Sequence, residues 1–134
     1  MSNTLIIDGK DSHEVEEGVM TIHPAHLSLV RNFEKNSFDK CLILYSPIEY
    51  LTPSNFLGIF KVLKEGSECE IIIDQPISVM QTLDASEIEG NAKLGGFRDF
   101  NTLPCEYEYK EDKQIKKLMP TIKLIMKKPT KENL

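Results

Sequence analysis

The chain has 134 residues, a formal charge of −5 and a pI near 5.2, enough for one domain that buries roughly two thirds of its unfolded surface and too little for two. That acidic balance argues against phosphate-backbone binding, because nucleic-acid readers carry a basic patch or stripe. The longest apolar runs, Cys41 to Tyr45 and Ile71 to Ile73, fall far short of the ~20 residues a membrane span needs. The N-terminus lacks a basic segment followed by an apolar signal core, so a cytoplasmic location is expected.

Thr4-Leu5-Ile6-Ile7, closed by Asp8-Gly9, predicts a buried strand ending in a turn. Val19 to Ile22 predicts a second strand. Parallel neighbours are normally joined by a crossover of a dozen or more residues, usually helical. Here the connection from Asp8 to Gly18 has Val15 as its one apolar residue, two glycines and five acidic residues, so it reads as a solvated loop with room for one helical turn. After His23-Pro24, the spacing of Leu27, Val30 and Phe33 predicts a short helix over Ala25 to Phe33.

The middle of the chain carries the strongest local signals. A strand over Lys40 to Ser46 is followed by a helix over Pro53 to Lys64, with Thr52 as cap, Pro53 in the first turn and Gly66 just past the end. Phe56, Ile59, Phe60 and Leu63 form one apolar stripe for packing on a sheet. A second strand, Glu70 to Asp74, follows. Both strands are mainly continuous apolar runs, as expected where helices cover both faces, and strand, helix, strand in this spacing predicts a right-handed parallel crossover.

Asp84, with Glu87 three residues on, predicts a capped second helix, with Ile88, Ala92 and Leu94 as apolar contacts and Gly95-Gly96 as its stop. Cys105 to Tyr109 alternates Tyr107 and Tyr109 with Glu106 and Glu108. Thr121 to Lys127 alternates Ile122, Leu124 and Met126 with Lys123 and Lys127. Such alternation predicts half-exposed strands, an antiparallel pair at one sheet edge, with Lys110 to Lys117 as the loop between them.

Taken in order, Ser37-Phe38-Asp39 before an apolar strand, Leu63-Lys64-Glu65-Gly66, Ile71 to Asp74 closing in Gln75-Pro76, Leu94-Gly95-Gly96-Phe97 and a terminal Lys127-Lys128-Pro129 resemble the N-terminal domain of the anamorsin family. The resemblance covers roughly Phe33 to Pro129. It implies a single three-layer, methyltransferase-like (Rossmann-like) α/β sheet over 1–134, mostly parallel with an antiparallel C-terminal edge and shortened in its N-terminal half. The chain departs from the family at Glu65, where proline often precedes the glycine, and at Ser67, where a second glycine is common.

Anamorsin is a cytosolic iron–sulfur assembly and anti-apoptotic protein. Its cysteine-rich cluster domain has no counterpart in these residues. The resemblance therefore implies a monomeric interaction domain without enzyme activity, cofactor or metal, one that docks a diflavin reductase. No residues for the partner surface can be named from sequence.

The rival is an S-adenosylmethionine-dependent methyltransferase or a fragment of one. Its cofactor would lie over the carboxyl ends of the first strands, on a glycine-rich turn with an acidic residue beyond the second strand for the ribose hydroxyls. Asp8-Gly9 is a fragment of that turn, no Gly-x-Gly follows Ile7, and Ile22 is followed by His23-Pro24 rather than a carboxylate.

Other candidate groups have two readings each. Cys41, Cys69 and Cys105 are odd in number and widely spaced in sequence, with no Cys-x-x-Cys pair, and read as small hydrophobes rather than ligands or nucleophiles. His23 and His26 could share a helix face as metal ligands, or serve as cap and surface residues. His13 reads as solvated. Asp74 stands at a strand's carboxyl end, where α/β folds place functional groups, or simply ends the strand before Gln75-Pro76. Lys127, Lys128 and Lys131, like Lys113, Lys116 and Lys117, read as a solvated face or as a patch for an acidic partner.

Overall fold

The computed structural model describes residues 3–9, 17–44, 46–73, 82–111 and 114–130. They build β1 (Thr4–Asp8), β2 (Val19–Ile22), β3 (Phe38–Leu44), α1 (Pro53–Val62), β4 (Leu63–Ile72), α2 (Thr82–Leu94), β5 (Arg98–Glu111) and β6 (Gln114–Lys127), with 3-10 helices at Pro24–Asn32 and Ile48–Tyr50. The sheet order is β2-β1-β3-β4-β6-β5. β1, β2, β3 and β4 run parallel, while β6 is antiparallel to both β4 and β5. The predicted parallel core and antiparallel edge are therefore both present.

α1 starts as its sequence dictates. Thr52 is extended and its hydroxyl accepts from the Asn55 amide at 3.2 Å, with Pro53 in the first turn where no N–H is needed. Its end differs from expectation. The helix stops at Val62, Leu63 is already extended, and β4 begins there. Gly66 is thus no helix cap. It sits in a bulge where β4's register against β3 jumps from Phe38↔Leu63 to Lys40↔Glu68. Its φ of +81° is a left-handed conformation that glycine adopts without strain.

α2 begins at Thr82, so Asp84 lies inside its first turn instead of capping it. Leu94 is 76 % exposed and packs on nothing, correcting its reading as a core contact. The Gly95-Gly96 stop is present as a Schellman motif. The Phe97 amide donates to the Ala92 carbonyl and the Gly96 amide to that of Lys93. A Cβ on Gly95 would lie 2.7 Å from Cβ of Phe56, so this glycine lets the end of α2 close onto α1. Phe97, fully buried, then meets Phe56 and Phe60 edge-on at 6.2 and 5.4 Å. Ala25 to Phe33 forms a 3-10 rather than an α-helix, with Leu27 and Val30 buried as the spacing requires.

The described residues of the expected Lys110 to Lys117 loop are strand. β5 continues to Glu111 and β6 starts at Gln114, giving a long hairpin of which only Lys123–Lys127 also pairs with β4.

All described helices contribute to one core. Leu5, Ile7, Cys41, Ile43, Cys69, Ile71, Leu124 and Met126 alternate onto the same sheet face, each 2 % exposed or less, and join Leu27, Val30, Phe56, Ile59, Val62, Ile88 and Ala92 in a single cluster. The other face behaves differently. Leu42, Leu44, Ile72 and Ile125 lie there half-buried and outside that cluster. The apolar runs of β3 and β4 therefore reflect one helix-covered face and one on which no described helix packs.

Candidate functional site

In a doubly wound sheet a ligand sits outside the carboxyl ends of the parallel strands. At that end β1 closes in Asp8, fully buried and already engaged in a polar or electrostatic interaction. The next amide, Gly9, donates to the Leu44 carbonyl at 3.0 Å. Beyond β3, Ser46 is 4 % exposed and its hydroxyl donates to the Pro47 carbonyl. Beyond β4, Ile73 is 2 % exposed. The described residues that close β1, β3 and β4 at this end are thus buried.

β2 leads directly into the 3-10 helix. Nδ1 of His23 accepts from the Ala25 amide at 3.1 Å, so His23 is the helix cap. His26 is exposed, its ring edge-on to His23 at 6.3 Å. Among the described residues no group of three or more His, Cys, Asp or Glu could hold a metal. His13, Asp74, Lys113 and Lys131 lie outside the described residues, as do the side chains of Lys116 and Lys117.

The cysteines, widely spaced in sequence, are not all apart in space. Cys41 and Cys69 are register partners on β3 and β4, both fully buried. The hydrogen bond to Cys41, then burial, pushes the Cys69 thiol well above its usual range. Burial also raises the half-buried Cys105 thiol. Groups held protonated in this way are poor nucleophiles and poor ligands.

The opposite, amino end of the sheet holds an open pocket of about 440 Å³ between the starts of β1, β2 and β3, lined by residues including Asn3, Met20, Phe33 and Phe38. Beside it, Asp39 and Asn3 tie β3 to β1. The Asn3 amide donates to Oδ2 of Asp39, and the Asp39 amide to the Asn3 carbonyl, each at 2.7 Å. Those bonds, with the Lys64 ammonium at 3.0 Å, hold the Asp39 carboxyl below its ordinary pKa.

The same end contains a buried cation that the sequence presented as solvated. Lys128 is 8 % exposed. Its Nζ donates to the Leu63 carbonyl at 2.7 Å and to Oδ1 of Asn36 at 3.2 Å, and lies 4.7 Å from the centre of the Phe60 ring. Burial lowers its pKa, partly offset by Glu65. Its backbone pairs with the Gly66 bulge: the Gly66 amide donates to the Lys128 carbonyl, and the Lys128 amide to that of Ser67. Ser37 joins the cluster through its amide on the Val62 carbonyl. Ser37-Phe38-Asp39, Leu63-Lys64-Glu65-Gly66 and Lys127-Lys128-Pro129 thus meet in one junction at the amino end.

No protein-family model and no curated protein matches the chain. Solved structures do. A Thermus thermophilus protein named as a DNA modification methylase, determined with S-adenosyl-L-methionine, superposes with a TM-score of 0.56 at 12 % identity over 96 % of this chain and 56 % of that one. Thermotoga maritima spermidine synthase gives 0.58 at 15 % over 95 % and 54 %. A Bacillus halodurans protein assigned as a methyltransferase gives 0.55 at 10 % over 97 % and 94 %. The chain spans little more than half the length of the first two. Names as different as methylase and spermidine synthase show that this fold does not fix the reaction. The chain has the methyltransferase-like Rossmann fold, a mostly parallel six-stranded sheet with an antiparallel edge.

Proposed function

We propose that this chain is a non-catalytic interaction domain resembling the N-terminal domain of anamorsin, acting in cytosolic iron–sulfur protein assembly by docking a diflavin reductase. The observation that supports this reading is the burial of the described residues at the carboxyl end of the sheet. Asp8 and Ser46, which would face a cofactor, have 0 % and 4 % of their surface open. The sequence adds that no glycine stands between Gly9 and Gly18 to let a backbone approach a ligand. Three of the five segments carrying the resemblance build the amino-end junction, so what they support is a shared architecture with a partner-binding use, not transfer chemistry.

Calorimetric titration of the purified domain with its cognate diflavin reductase tests the docking role. Association at micromolar concentration is expected, and none at tens of micromolar overturns it.

A second reading, an S-adenosylmethionine-dependent methyltransferase or part of one, is favoured by the likeness to a methylase determined with that cofactor. It predicts stabilisation by the cofactor, about 2.7 kcal/mol at 100 times the dissociation constant. An unchanged unfolding midpoint in millimolar S-adenosylmethionine is expected here. A clear rise would put the enzyme reading first.

A further inference from the structure

The open pocket at the amino end of the sheet has the dimensions of a ligand site. Its volume of about 440 Å³ falls within the roughly 300–1,000 Å³ of small-molecule sites. Val19 and Met20 of β2, with Phe33 and Phe38, give it apolar walls. The two rings meet at 49° with their centres 6.5 Å apart, and Met20 keeps 43 % of its surface exposed. Most of what a ligand would touch here is hydrocarbon.

The polar side chains of the lining divide into used donors and an unused acceptor. Nδ2 of Asn3 donates to the Ser37 carbonyl at 3.2 Å, and the Ser37 hydroxyl donates to the Glu34 carbonyl at 2.7 Å. Both side-chain donors of the described lining are therefore engaged within the fold. The exposed Glu34 carboxylate, by contrast, makes no hydrogen bond or ion pair with any described residue. No Lys, Arg or His stands among the described lining residues. An anion entering the pocket would meet a carboxylate and no compensating cation, a mismatch that works against it. A neutral hydrocarbon would gain the wall contacts alone. An ammonium group on a hydrocarbon chain uses both features: it pairs with Glu34 through a charge-assisted hydrogen bond, its chain lies against the walls, and nearby aromatic rings favour a cation. The net charge of −5 favours its approach.

We infer that this pocket binds a small organic cation, a primary ammonium group carried on a hydrocarbon chain, with Glu34 as its counter-ion and Val19, Met20, Phe33 and Phe38 around the chain. The site lies at the end of the sheet opposite the one where a doubly wound protein holds its cofactor. It stands whether or not a diflavin reductase is the protein bound.

Three probes of one chain length test it: n-hexylammonium, 1-hexanol and hexanoate, titrated into the isotope-labelled protein while backbone amide shifts are followed. Hexylammonium should give saturating shifts at the starts of β1, β2 and β3, hexanol should bind at least about tenfold more weakly, and hexanoate should bind weakest. Glu34→Gln, a change at an exposed side chain, should weaken hexylammonium about tenfold and leave hexanol and the unfolding midpoint unchanged. Glu49→Gln removes the same charge from an exposed position outside the pocket and should leave all three affinities as they were. Met20→Lys should weaken hexylammonium and favour hexanoate. No saturating shift from hexylammonium up to tens of millimolar would overturn the inference. So would equal binding of the three probes, shifts confined to residues outside the pocket, or an equal loss of hexylammonium binding in Glu34→Gln and Glu49→Gln.

Discussion

The two ends of the sheet are built from different materials. At the amino end, three separated segments converge on a buried ammonium group, a left-handed glycine and a pair of reciprocal backbone bonds. At the carboxyl end the strands close in the buried residues Asp8, Ser46 and Ile73, Ser46 bonding the adjacent Pro47 carbonyl and Ile73 bonding Ile122 and Thr121 of β6. In doubly wound proteins the second end carries the chemistry; here three of the five recognisable motifs gather at the first. Motifs shared with a family can therefore mark how a sheet is locked rather than what it binds.

The largest effect should come from the core that supports both ends. Phe56→Ala removes a fully buried ring from contact with Phe97 and should cost roughly 3–5 kcal/mol in a denaturant melt. Phe60→Ala should cost less, because Phe60 is only half-buried. The opposite order would mean that the Phe60–Lys128 contact, not the Phe56 side of the stripe, anchors α1.

The contrast between the ends is sharpened by Lys128→Ala against Ser46→Ala. Losing Nζ of Lys128 leaves the Leu63 carbonyl without that donor in a buried place, a cost of about 1–3 kcal/mol. Among the described residues Ser46 bonds the adjacent Pro47 carbonyl, and its replacement should cost under about 1 kcal/mol. Equal chemical-denaturation midpoints for the two variants would erase the distinction.

A pH series separates Asp39 from other carboxylates. Its folded pKa lies below the ordinary 3.8, so its contribution is present above that value and is lost as pH falls through the folded pKa. Asp39→Asn should lower the urea midpoint at pH 6 and flatten its fall toward pH 3. A variant that loses as much stability at pH 3 as at pH 6 would refute this assignment. The smallest effect belongs to Lys64→Ala: its exposed pair with Asp39 at 3.0 Å should contribute little, read as a small shift of the same midpoint that shrinks in high salt.

The β3–α1–β4 crossover was legible because its signals are local. Thr52-Pro53 and the Phe56, Ile59 and Phe60 spacing act within one helix, and strand polarity follows from the connection. What depends on distant residues was not. Gly66 follows an apolar stripe as a helix cap does, yet its conformation is set by Lys128, 62 positions later by sequence number. Lysine is rarely buried, so nothing local announced that Lys128 would find a carbonyl, an amide oxygen and a ring. Lys110 to Lys117 looked like a loop because every residue but Ile115 is polar, whereas cross-strand pairing in the ribbon tolerates polar residues on both strands. Cys41 and Cys69 became neighbours through strand register; in the sequence Cys41 lay in one strand of a recognised crossover and Cys69 immediately before the other, which was the available clue.

The strand order β4-β6-β5 also sets a constraint on when the sheet can close. Synthesis delivers β5 before β6, yet β5 has no place beside β4 and pairs only with β6. While the chain emerges at about 5–20 residues per second, β4 presents a bare edge and the long β5 strand has no partner. The edge opposite β2 is completed only when residues near 127 are free to turn back, making the last strand made the one inserted between two that came before it.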